Sequence, residues 1–151
     1  MGTSRVVNLQ RMDHVGITVE DLDAAIAFFT ALGLELSGTG SVEGRDVDRV
    51  VGLEGVASDI AMLQTPDGQV RIELSHFASP PLRAGDPEAL VNTPGLRHLC
   101  FAVDDLDAAL AELRPHGAEL VGEVVSYGSS YQLCYLRGPD GIIVELAEKI
   151  G

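Results

Sequence analysis

One 23-residue stretch occurs twice in this chain. HVGITVEDLDAAIAFFTALGLEL begins at His14, HLCFAVDDLDAALAELRPHGAEL begins 84 positions later at His98, and 11 of the 23 positions match without a gap. A repeat of this kind constrains the fold more than any composition does. Each copy is a small supersecondary unit whose apolar face needs a like neighbour, so the chain folds as two similar modules sharing a core.

Within each copy the hydrophobic period changes once. HVGITV and HLCFAV alternate with period 2 and read as strands. DLDAAIAFFTALG then places Leu22, Ile26, Phe29 and Leu32 on one helical face, and DLDAALAELRPHG does the same with Leu106, Leu110 and Leu113. Asp21 and Asp105 are placed to cap the helix starts, Gly33 and Gly117 to end them. Further on, TPDGQVRIEL and GPDGIIVEL each carry a Pro-Asp-Gly turn and a strand with one Glu, matching with a one-residue slip. LELSGTGSVEG and DIAMLQT supply the remaining strands of the first copy; AELVGEVV and YQLCYLR supply those of the second.

The expected architecture is therefore α+β: two βαβββ modules whose sheets together make a cup, with the helices on the outer face. Residues 1–11 form an N-terminal extension, 12–76 the first module, 77–95 a linker rich in Pro, Gly and Ala, and 96–148 the second module. A short helix is expected near 87–91.

The strand period also decides which side chains enter the cup. Val15, Ile17 and Val19 share one face and are needed against the helix, which turns His14, Gly16 and Thr18 inward. By the same rule Leu99, Phe101 and Val103 pack outward while His98, Cys100 and Ala102 face in. Ile72 and Leu74 pack, leaving Arg71, Glu73 and Ser75 inside. Ile142, Val144 and Leu146 pack, leaving Ile143, Glu145 and Ala147. Glu145 is a lone carboxylate in the apolar run GIIVELA, and such a charge needs a partner. Two imidazoles and two carboxylates at matching repeat positions suit one divalent transition metal, Zn, Ni, Co, Mn or Fe(II), with room left for water or substrate.

At these residues the chain resembles the vicinal oxygen chelate superfamily, which includes glyoxalase I, methylmalonyl-CoA epimerase, extradiol dioxygenases and the fosfomycin and bleomycin resistance proteins. DHVGITVEDLDAAIAFF, VRIEL, RHLCFAVDDLDAAL and GPDGIIVEL carry the likeness, over about residues 12–148. It implies paired βαβββ modules, a metal held by His14, Glu73, His98 and Glu145, and a homodimer. Glyoxalase I generally has an Arg four residues after its first ligand, where this chain has Thr18, so a glutathione adduct is disfavoured as substrate. Ten basic residues are a poor supply for the phosphates of coenzyme A.

The leading expectation is a metal-dependent lyase or isomerase of glyoxalase type, acting on a small oxygen-chelating substrate through an enediolate. Glu145 is the expected base, because a carboxylate on an apolar strand keeps a proton more readily, and Glu73 is the symmetry-related second choice. Arg49, Arg71, His76 and Tyr131 are candidates for the cup's lining. The alternatives are a sequestering protein of the bleomycin-resistance kind and an Fe(II) dioxygenase. A net charge of -13 disfavours nucleic acid and anionic membranes as partners. The absence of a signal-like start and of a long apolar run points to a cytoplasmic protein.

Overall fold

A computed structural model describes residues 7–151. Residues 7–14 carry no regular structure. The first module runs β1 (Val15–Thr18), α1 (Leu22–Leu32), β2 (Glu35–Glu43), α2 (Arg45–Val51), β3 (Ala57–Gln64) and β4 (Arg71–Ser79). The second runs β5 (His98–Ala102), α3 (Leu106–Leu113), β6 (Glu119–Leu120), β7 (Val125–Tyr127), β8 (Tyr131–Arg137) and β9 (Ile143–Lys149). Among the described residues, no helix is long and apolar enough to cross a membrane.

Each module builds its own mixed sheet. The first has the order β1-β4-β3-β2, the second β5-β9-β8-β6, with β7 also on β8. β1 lies parallel to β4, and β5 parallel to β9, because the intervening helix carries the chain back across the sheet. The other pairings are antiparallel. The two sheets therefore repeat the α+β plan that the sequence repeat demands.

The helices form where their caps and stripes predict. Asp21 accepts from the Ala24 N–H, and Asp105 from the Ala108 N–H, both at 3.0 Å. Gly33 closes α1 in a positive-φ conformation, its φ of 122° being open to glycine. Gly117 does so only after a 3-10 turn, Arg114–His116, which Pro115 introduces.

One core joins both modules. Leu106, Leu110 and Leu113 of α3 are buried, as are Phe28 and Phe29 of α1. Phe28 lies off the stripe assigned from the sequence, yet it is fully buried. The reason is the second module: α1 packs on α3 and on the 3-10 turn Pro139–Gly141, and the Phe28 ring fills the space beside Gly138.

Two details of the linker differ from expectation. β4 continues to Ser79, three residues beyond the assigned end of the first module, because Phe77 and Ser79 still pair with Ser58 and Ala57 of β3. The segment around 87–91 makes turns rather than a helix. It is pinned instead by Arg137, whose Nη1 donates to the carbonyls of Pro87 and Gly141 and whose Nη2 donates to that of Ala89. The helix α2 was not foreseen; it holds Asp48, which accepts from the N–H groups of Gly55 and Val56.

Candidate functional site

The alternation that builds the sheets also sets out two matching rows of side chains on their inner faces. Across the first sheet run Gly16, Glu73, Met62 and Gly38, each opposite the next in strand register. Across the second run Cys100, Glu145 and Tyr135. Their outward neighbours Ile72, Leu74, Val144 and Leu146 are buried in the core. This is the arrangement the period-2 rule assigns.

His14 and His98 stand beside these rows as two separate imidazole–carboxylate pairs. His98 Nε2 lies 3.2 Å from Glu145 Oε1. His14 Nε2 lies 3.9 Å from Glu73 Oε2. Among the described residues of one chain, no three metal-binding side chains come close enough to hold a single ion. The chain thus presents two half-sites, one per module.

The donor chemistry of each half-site fits a divalent transition metal. Two ligands on one cation at bonds of about 2.0–2.2 Å lie roughly 3–3.5 Å apart. The second pair meets that spacing, and the first, at 3.9 Å, lies just beyond it. Around His14 there is a further feature. Its Nδ1 lies 2.8 Å from Asp13 Oδ2, so Nδ1–H donates to the carboxylate and the ring is turned with Nε2 towards Glu73. That is how an outer carboxylate fixes the tautomer of a metal-binding imidazole. The same hydrogen bond holds the Asp13 carboxyl below the ordinary aspartate range, with Arg71 and Arg11 acting in the same direction.

The second half-site is more enclosed. The Glu145 side chain is 17% exposed, against 29% for Glu73. Tyr135 lies over His98 with ring centroids 4.9 Å apart. Burial, then the neighbouring Glu145 carboxylate, pushes the Tyr135 phenol above its usual value. The Cys100 thiol is raised by the same two causes in the same order.

The other candidates separate. Arg71 has its Nη1 3.9 Å from Asp13 Oδ2, which fits a neutralising role beside the first half-site. Tyr131 shares the face of Tyr135 but is 43% exposed, four residues away at the start of β8. Arg49 sits on α2, where it pairs with Asp46 at 3.6 Å on the surface. His76 does not line the cup. It has the parity of Ile72 and Leu74, stands opposite Asp59, and its Nδ1 donates to the carbonyl of Val19.

One group escaped the sequence reading. Asp13 precedes the strand, so period 2 gave it no direction, although its place beside His14 in DHVG was a usable signal. Tyr135 and Cys100 have the correct parity, but only the register places both opposite Glu145.

Twin βαβββ modules each present an imidazole and a carboxylate at matching positions of the repeat. Residues 13–135 match the family described as the Glyoxalase/Bleomycin resistance protein/Dioxygenase superfamily. A solved glyoxalase family protein from Bacillus cereus is 50% identical, with a TM-score of 0.94 over 99% of this chain and all of that one. The uncharacterized protein YaeR of Escherichia coli is 33% identical, covering 95% of this chain and all of YaeR. Human mitochondrial methylmalonyl-CoA epimerase is 28% identical, covering 97% of this chain and 78% of the epimerase. The chain belongs to the Glyoxalase/Bleomycin resistance protein/Dioxygenase superfamily.

Proposed function

We propose that this protein is a metal-dependent lyase or isomerase that moves a proton next to a carbonyl of a small, oxygen-chelating substrate. The observation that carries the proposal is the pair of His–Glu half-sites, His14 with Glu73 and His98 with Glu145, at matching positions of two modules. His14, Glu73, His98 and Glu145 would hold one divalent cation. When bound, that cation supplies Lewis acidity, which makes the C–H beside a substrate oxygen easier to ionise.

The remaining work falls to the chain. Glu145 takes the proton from carbon and returns it to the neighbouring carbon or to the opposite face of the same one. Glu73 is the alternative base. Tyr135, protonated throughout the neutral range, donates a hydrogen bond to the oxygen on which charge gathers. The row over the first sheet is bare by comparison: a Cβ at Gly16 or Gly38 would meet nothing within 4 Å. Substrate bulk is accommodated there, above Met62.

A cup that holds one ion needs a first-module pair and a second-module pair together. The pairs of one chain do not cluster, and β1 and β5 belong to separate sheets with one neighbour each. A homodimer in which each chain lends one module to each cup supplies the missing half. The small count of cations argues against coenzyme A phosphates as the main anchor, although several relatives carry methylmalonyl-CoA epimerase in their names.

The test is proton exchange. Metal-loaded protein in deuterated water, given methylglyoxal–thiol adducts or methylmalonyl thioesters, exchanges the activated C–H, as followed by proton NMR. Oxygen uptake with catechols and no exchange would assign the chain to dioxygenase chemistry instead.

A further inference from the structure

A cavity lies at the seam between the two modules, lined by β1 of the first and by the start of β5 of the second, with Gly16, His98 and Ile143 at its cup side. Its volume is about 250 Å³, just under the roughly 300 Å³ at which sites for drug-sized ligands begin. Val15, Ile17 and Leu99 wall it, and all three belong to the face that packs towards the helices. Ile142 and Leu96 add further apolar surface. His98 reaches its border, but His14, Glu73 and Glu145 do not line it.

Two guanidinium groups reach this cavity, and they differ in what they already hold. Arg137 is spent on the carbonyls of Pro87, Ala89 and Gly141. Arg97 makes no hydrogen bond and no ion pair among the described residues, and its Nε is buried without a partner. The two carboxylates at the rim do not serve it. Asp140 accepts from the Glu20 N–H, and Asp86 from the Glu88 N–H. Among the described residues, the Arg97 Nε is the one buried side-chain nitrogen or oxygen without a hydrogen-bond partner. The planar fork of this guanidinium matches a carboxylate.

We propose that this cavity binds a small aliphatic carboxylate, with the carboxylate on Arg97 and the hydrocarbon between Val15, Ile17 and Leu99. The site adjoins the second half-site through His98 but takes in none of His14, Glu73 and Glu145. It lies on the seam through which the two modules meet, so its occupant is held by both.

Hexanoate, titrated into the full-length protein and followed by calorimetry and by amide NMR, tests this. The expected result is saturable binding of one hexanoate per chain, with shifts at Val15–Ile17 and Leu99. Affinity rises about fourfold per methylene from butyrate upwards until the cavity is full. Arg97→Gln weakens hexanoate by about tenfold or more, whereas Arg49→Gln, on the surface of α2, leaves it unchanged. Equal binding of hexylamine, an unaltered affinity in Arg97→Gln, or shifts confined to the strands of Glu73 and Glu145 each overturn the assignment. So does failure of hexanoate to saturate any site.

Discussion

Glu145 Oε1 approaches His98 Nε2 to 3.2 Å from a neighbouring parallel strand, and Glu145 faces Cys100, not His98, in the strand register. The carboxylate therefore leans along the sheet to reach the imidazole while its strand neighbours Val144 and Leu146 are buried in the core. A group so placed can bind a cation and still reach a substrate proton. Glu145→Gln keeps the shape and one oxygen but removes the base. Turnover falls by about a hundredfold or more, with bound metal retained. Metal analysis beside steady-state rates checks both halves, and undiminished turnover removes Glu145 from the chemistry.

Asp13 acts one step further out. Its hydrogen bond to His14 Nδ1 aims the other ring nitrogen at Glu73. Asp13→Asn weakens that orientation and lowers metal affinity by about ten- to a hundredfold. Competition against a chelator reads the change. Melting temperature of the metal-free protein stays within a degree or two, because Asp13 is exposed.

Tyr135 stacks on His98 and faces Glu145 across the strand pair. Tyr135→Phe preserves the ring contact and deletes only the donor. Turnover drops by about tenfold or more if the phenol serves the developing oxyanion, while metal content is unchanged. A variant that loses metal instead would mark the tyrosine as a support for His98.

Stability in alkali follows from three groups. The thiols of Cys100 and Cys134 are held above their ordinary 9.0, and the phenol of Tyr135 above its ordinary 10.0, burial being the first cause in each. The folded protein then keeps protons that the unfolded chain has released. Stability is fully present below about pH 9 and declines as pH climbs from there towards the raised folded values. Urea midpoints at pH 7.5 and 10 should show the drop. Cys100→Ser should make it smaller.

The joint between modules is tested at a glycine. Gly141 has φ of 75°, and a Cβ there would lie 2.0 Å from the carbonyl oxygen of Pro87. Gly141→Ala must displace the linker that Arg137 holds, and costs about 2–3 kcal/mol by urea unfolding. Gly122, exposed and with nothing near its missing Cβ, tolerates Ala within about 0.5 kcal/mol.

Much of this fold was legible because the repeat stated it twice. The helices, their Asp caps and the inward parity of Glu73 and Glu145 follow from periods that one strand or helix carries by itself. What could not be read depends on partners distant in sequence. The Phe28 ring lies against Gly138 of the other module. β4 runs to Ser79 because β3 still offers it hydrogen bonds. His76 was misplaced by treating a strand end as a cup mouth, when its parity puts it on the helix side. Nor does sequence symmetry fix how the modules sit, so the four expected ligands appear as two half-sites within one chain.

The central claim is that one half-site from each module is needed to hold a single cation. Metal stoichiometry by inductively coupled plasma mass spectrometry, on wild type, His14→Ala and His98→Ala, addresses it most directly. About one transition-metal ion per chain in the wild type, lost in either variant, is the predicted result. A folded wild type that takes up no metal, or a full ion retained when one module's histidine is gone, would contradict it.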